Sequence, residues 1–92
     1  MLLALAPEAN KAWNLYHFES ALHGGLTRSE VRRIATDQGH SESRFSNQTG
    51  DMLVFEIADV PQVVCDTTVF ERLYFTHDKL TNWSRDEAHA CL

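Results

Sequence analysis

A helix with marked ends at residues 24–39 constrains the fold of this 92-residue chain more than any other feature. Thr27 and Glu30 have the spacing of a capping box, in which each side chain binds the backbone N–H of the other residue. Gly39 then supplies the left-handed conformation in which many helices end. The pattern predicts a short, well-capped helix over residues 27–38.

An earlier helix is predicted over residues 7–22. Pro7 suits the first helical position, where its missing N–H costs no hydrogen bond. Leu15, Phe18 and Leu22 follow at helical spacing and form an apolar stripe. The two predicted helices therefore need a third apolar surface to cover.

That surface is predicted in the second half of the chain. Three segments carry the alternation of apolar and polar residues that is typical of strands, at residues 51–58, 67–76 and 80–84. His77, Asp78 and Lys79 form the predicted turn between the last two segments. Short connections favour pairing in sequence order, which predicts an antiparallel meander.

The predicted fold class is therefore α+β, with two N-terminal helices packed on one face of a three-stranded antiparallel meander, in two layers. Residues 1–92 form a single domain. The polar stretch 40–50 is predicted as a loop with at most a short strand around residues 44–46. Residues 1–6 are an apolar lead-in or the remnant of an export signal, and residues 85–92 are a tail.

The strand over residues 67–76 has two different faces. One face carries Glu71 among apolar residues, namely Val69, Leu73 and Phe75. Phe70, Arg72 and Tyr74 lie on the other face, and Trp83 is predicted to join them as a candidate partner-binding surface. The alternative is that these rings only pack across strands and stiffen the sheet.

Few residues suggest catalysis. Glu56 and Glu71 could face each other across paired strands, as an acid/base pair would, but exposed strand carboxylates are far commoner. A hydrolase would need a polar cleft gathering His17, Glu19 or Glu71. No histidine or cysteine cluster has metal-ligand spacing. The chain is therefore expected to be non-enzymatic and to use no metal or cofactor.

The net charge of −5 argues against a nucleic-acid partner, which requires a basic face. Arg28, Arg32 and Arg33 are interpreted as the solvated face of a helix. No apolar run has the length of a transmembrane helix. Cys65 and Cys91 fit one disulfide and two buried thiols equally well.

The layout resembles that of the SmpA/OmlA family of small outer-membrane lipoproteins, which the half-domains of β-lactamase inhibitory protein share. The resemblance rests on Gly25-Leu26-Thr27-Arg28-Ser29-Glu30-Val31, on Gly39, and on the hairpin-like run from Leu73 to Trp83. It covers residues 24–84. His40 stands where the family commonly has a nearby proline, and this numbering contains no N-terminal lipidated cysteine.

The resemblance implies an exported, non-enzymatic protein that binds another protein, in support of outer-membrane β-barrel assembly or as an inhibitor. In that setting Cys65 and Cys91 form a disulfide that ties the tail to the sheet. The expected location is the periplasm or the inner face of the outer membrane. Membrane association is expected only if a lipidated signal precedes this numbering. The alternative is a small cytosolic inhibitor or regulatory protein.

Overall fold

A computed structural model describes residues 7–47, 49, 51–60 and 64–91, and it describes no side chain before Lys11. Within these residues, two helices precede four strands. The elements are α1 (Pro7–Ser20), α2 (Arg28–Asp37), β1 (Ser41–Glu42), β2 (Met52–Val60), β3 (Cys65–Thr76) and β4 (Lys79–Cys91). The predicted lead-in at residues 1–6 lies outside the described residues.

The sheet is antiparallel throughout and has the order β1-β2-β3-β4. The prediction of a three-stranded meander is therefore wrong, although the α+β class and the two predicted helices agree with the structure. The additional strand is β1, whose two residues pair with Glu56 and Phe55 of β2. It lies earlier than residues 44–46, where the sequence suggested a short strand.

The sequence gives no signal for β1 because the strand is short and polar. Two exposed residues cannot show the alternation by which strands are recognised. The chain arrives at β1 directly from the end of α2, where Gly39 adopts a φ of +81° and the His40 N–H donates to the carbonyl of Ala35. This helix end places Ser41 beside the edge of β2, where it pairs with Glu56.

The predicted tail at residues 85–92 belongs to β4 as far as Cys91. Each residue from Arg85 to Cys91 has a partner in β3, ending with Cys91 opposite Cys65. The two cysteines form a disulfide. This half of β4 is polar because β4 is an edge strand that contacts α1 through ion pairs of Arg85 and Glu87 rather than through apolar packing, so the ladder, these ion pairs and the disulfide hold it.

The core lies between the helices and one face of the sheet. It is built from residues of α1, of the connection between the helices, of α2 and of the inward positions of β2, β3 and β4: Leu15, Phe18, Leu22, Leu26, Val31, Ala35, Leu53, Phe55, Ile57, Val69, Leu73, Phe75 and Leu80. Trp13 and Tyr16, which flank the stripe of α1, are instead 58% and 68% exposed. The helices therefore form one layer and the sheet the other.

The N-terminal end of α2 is attached to the hairpin between β3 and β4. The capping box is present, with the Glu30 N–H donating to Thr27 Oγ1 and the Thr27 N–H donating to Glu30 Oε1. The Arg28 N–H and Nε both donate to Asp78 Oδ1, at 3.1 and 2.8 Å. Before the cap, the Leu26 carbonyl accepts from the Leu80 N–H. Arg28 is therefore held in contacts with other elements.

Reducing the disulfide should destabilise the protein. Because Cys65 and Cys91 are 26 positions apart, the loop-entropy relation gives about 3.5 kcal/mol of stabilisation, acting mainly on the unfolded chain. The double variant Cys65→Ser/Cys91→Ser should lose this amount in urea unfolding. Reductant should lower the stability of the wild type to that of the variant and leave the variant unchanged. Equal stability of wild type and variant without reductant would contradict the expectation.

Candidate functional site

The side of the sheet away from the helices is the first candidate surface. The alternation along β3 sends Val69, Leu73 and Phe75 into the core and leaves Phe70 and Tyr74 on the helix-free face. Arg72 lies between these rings on the same face and pairs with Asp86 of β4. Three of the four residues singled out from the sequence therefore share one surface.

Trp83 does not belong to that surface. It lies opposite Leu73 and packs against the core on the helix side of the sheet. The cause is a bulge in β4: Leu80 pairs with Phe75, but Asn82 pairs with Tyr74, so Thr81 is an extra residue. An extra residue reverses which face all later side chains occupy. Regular pairing from the turn would have placed Trp83 opposite Arg72, on the helix-free face.

Phe45 takes the place that was expected for Trp83. Its ring meets Phe70 edge to face, with 6.0 Å between centroids and 86° between planes. Phe45 is the one apolar residue in the polar stretch 40–50, which is the signal that could have identified it. An apolar ring in an otherwise polar loop often packs on a nearby sheet.

The loop that carries Phe45 is fixed to β2 by hydrogen bonds to Val54. The Ser43 N–H donates to the Val54 carbonyl at 2.7 Å, and the Val54 N–H donates to Ser46 Oγ at 2.8 Å. Val54 is 2% exposed although it lies on the helix-free face. The loop therefore buries part of this face and presents Phe45 above it.

Phe45, Val54 and Phe70 line a shallow pocket of about 210 Å³. Ala88 completes its apolar wall, and the Arg72–Asp86 ion pair lies at its rim. Phe45 itself remains 58% exposed. A small apolar pocket with a charged rim is an arrangement that suits an anchoring side chain from another protein.

A second candidate site lies on the helix side and involves Glu71. The sequence suggested that Glu71 could face Glu56, and this is wrong. Glu56 lies opposite Phe70 and is exposed, whereas Glu71 lies opposite Phe55 and is fully buried. The two carboxylates therefore occupy different faces of the sheet and cannot act on one substrate.

Glu71 is instead grouped with Glu19 of α1 and Arg85 of β4. Arg85 lies opposite Glu71 in the ladder and donates to both oxygens of Glu19, with Nη2 at 2.8 Å from Oε1 and Nε at 2.9 Å from Oε2. Among the described residues no N–H or O–H donor bonds either Glu71 oxygen. The group that acts most strongly on the Glu71 carboxyl is the neighbouring carboxylate of Glu19. Two carboxylates can hydrogen-bond only when one of them carries a proton.

The proton resides on Glu71. Burial raises its pKa from 4.5 to about 8, and the hydrogen bond to Glu19 and the negative charge of Glu19 act in the same direction, while Arg85 opposes them. For Glu19, burial opposes ionisation, but hydrogen bonds from Arg85 and Glu71 outweigh it and lower the pKa. At neutral pH the cluster thus consists of a protonated Glu71, an ionised Glu19 and Arg85.

His17, which a hydrolase was expected to bring to the same cleft, lies elsewhere. Its ring stacks on Trp13, with centroids 5.6 Å apart. His40 packs edge-on against Phe18, and burial together with the charge of His17 lowers its pKa. In the part of the chain that the structure describes, no three histidine, cysteine or carboxylate side chains are grouped as metal ligands.

Comparisons with protein-family models, curated proteins and solved structures found no match to this chain. The likeness to the SmpA/OmlA layout thus rests on the motifs and stays a prediction. Neither of the two helices in the described part of the chain is long and apolar enough to cross a membrane.

The buried carboxyl of Glu71 should make stability depend on pH. The pKa of Glu71 is about 8 in the folded protein and 4.5 in an ordinary, unburied carboxyl. The contribution of the protonated Glu71 carboxyl to folding stability is therefore fully present below pH 4.5 and is lost as pH rises through about 8. The free energy of unfolding should fall in this window by up to about 1.4 kcal/mol per pH unit. Glu71→Gln, which is neutral at every pH, should remove this fall in urea titrations.

Glu56→Gln is the matched control, since Glu56 is an exposed carboxylate on the neighbouring strand. It should retain the wild-type slope. If Glu71→Gln and wild type lose stability equally between pH 5 and 8, then Glu71 is ionised in the folded protein and the assignment of its proton is wrong.

Proposed function

We propose that this chain is a non-enzymatic, exported protein-binding domain that engages its partner with the helix-free face of the sheet. The pocket formed by Phe45, Val54 and Phe70 is the proposed anchor point. Arg72 and Asp86 at its rim would provide the polar contacts that orient the partner. The proposed partner is a protein that inserts an apolar side chain into this pocket.

The observation that carries the proposal is the exposure of Phe45 above an already buried floor. A large ring that is 58% exposed leaves apolar area in water, and covering this area is favourable. Arg44 lies over the ring, with its guanidinium carbon 5.4 Å from the centroid, and adds a cation to the same surface. Aromatic rings and arginines are the residue types enriched where proteins dock.

The disulfide supports the exported location. Disulfides persist in oxidising compartments and are rare in the cytosol, and Cys65 and Cys91 are bonded in the folded protein. The SmpA/OmlA-like motifs make components of outer-membrane β-barrel assembly the first partners to test. A cytosolic inhibitor, the competing proposal, would carry reduced cysteines, so thiol counting on protein taken from fractionated cells distinguishes the two locations.

Removing the Phe45 ring should weaken partner binding without unfolding the domain. Phe45→Ala deletes an exposed ring, so the melting temperature should change little. The affinity for the partner isolated with the wild type should fall about tenfold or more, the loss expected for an aromatic anchor. Isothermal calorimetry with the purified partner measures the difference.

Tyr16→Ala is the matched control, because Tyr16 is an exposed ring on α1, in the other layer. It should leave the affinity unchanged. Full binding by Phe45→Ala together with loss of binding by Tyr16→Ala would move the interaction to the helix layer and overturn the proposed surface.

A further inference from the structure

The contact between α1 and β4 is built differently from the rest of the helix–sheet interface. On this side α1 is joined to β4 by ion pairs, Lys11 with Glu87 and Glu19 with Arg85. Between α1 and Arg85 lies an open groove of about 550 Å³, whose walls include Leu15 and Tyr16. The helix is thus held toward β4 by polar bridges rather than by a closed apolar contact.

Glu71 lies beneath one of these bridges. It is fully buried, it lies opposite Arg85 in the ladder, and it interacts with the carboxylate of Glu19, which the Arg85 guanidinium binds through two nitrogens. We propose that a single proton on Glu71 acts as a latch, which keeps α1 docked on the β3–β4 side of the sheet and whose loss widens the groove.

Charge balance explains the latch. With the proton present, Glu71 donates to Glu19, and the one negative charge of Glu19 is matched by Arg85. Loss of the proton to solvent leaves two carboxylates beside one guanidinium, which can bind only one of them through both nitrogens. An unmatched buried charge is costly, so the arrangement must relax.

Among the side chains that the structure describes, Glu19 and Arg85 are the charged groups that act on Glu71. From α1 the group acting on Glu71 is Glu19, and from β4 it is Arg85. On the β2 side the residue opposite Glu71 is Phe55, which carries no charge. Lys11 is already paired with Glu87. Relief therefore requires either that Arg85 leaves Glu19 or that α1 lifts away and water enters, and in both cases the Glu19–Arg85 bridge between α1 and β4 is broken.

Native-state amide hydrogen exchange of the full chain tests the latch. If the opening of α1 exposes Glu71 to water, the equilibrium constant for this opening should rise about tenfold per pH unit between pH 5 and 8 and level off above pH 8. The intrinsic chemical rate of amide exchange also rises about tenfold per pH unit. The observed exchange rates of residues 11–20 should therefore rise about a hundredfold per pH unit in this range. This opening should also be insensitive to low urea, because it exposes little surface.

Two variants make the result specific. Glu71→Gln should return the α1 rates to the ordinary tenfold rise per pH unit, whereas Glu56→Gln, which alters a carboxylate on the other face of the sheet, should keep the hundredfold rise. Glu19→Gln removes the charge that disfavours ionisation of Glu71, so the levelling-off should begin at lower pH.

The proposed latch is contradicted if the exchange rates of the wild-type α1 amides show only the tenfold rise per pH unit of the chemical step, since Glu71 would then ionise without releasing α1. It is also wrong if the hundredfold rise occurs only in an opening that is as sensitive to urea as global unfolding is. Should Glu71→Gln fail to fold, the comparison of wild type with Glu56→Gln and Glu19→Gln decides by the same criteria.

Discussion

The alternation of β3 is the constraint on which the other elements depend. This strand pairs along its length with β4 and with β2, and it therefore sets the register of the principal strands. Its inward residues join those of β2 in the core beneath the helices, and its outward residues, with Phe70 at their centre, underlie the proposed binding surface. A shift of one residue would exchange the two faces and destroy core and surface together.

Most of the local structure follows from the sequence, because caps, turns and alternation are short-range signals. The capping box at Thr27, the two helices and the strands around residues 51–58, 67–76 and 80–84 were all predictable. What escaped prediction depends on long-range contacts. The strand β1 exists only because the end of α2 delivers it to β2, and the polar half of β4 is a strand only because β3 lies beside it.

The candidate site illustrates the same limit. Alternation alone places Phe70, Arg72 and Tyr74 together, but one bulge residue removes Trp83 from them, and bulges leave little trace in sequence. Glu71 was recognisable as a carboxylate among inward residues, yet its partner was misassigned to the adjacent strand. The true partner, Glu19, comes from a helix 52 positions earlier, and only the packing of the two layers brings these carboxyls together.

The attachment of α2 to the last hairpin has a consequence for how the chain is made. The helix and its cap emerge first during synthesis, but Arg28 must wait for Asp78, 50 positions later, and Leu26 must wait for Leu80. Contacts so distant in sequence form late, because a long loop must first close. A nascent chain that ends before the hairpin thus holds an α2 whose N-terminal end lacks these contacts, and this end can be attached only when the β3–β4 turn has been synthesised.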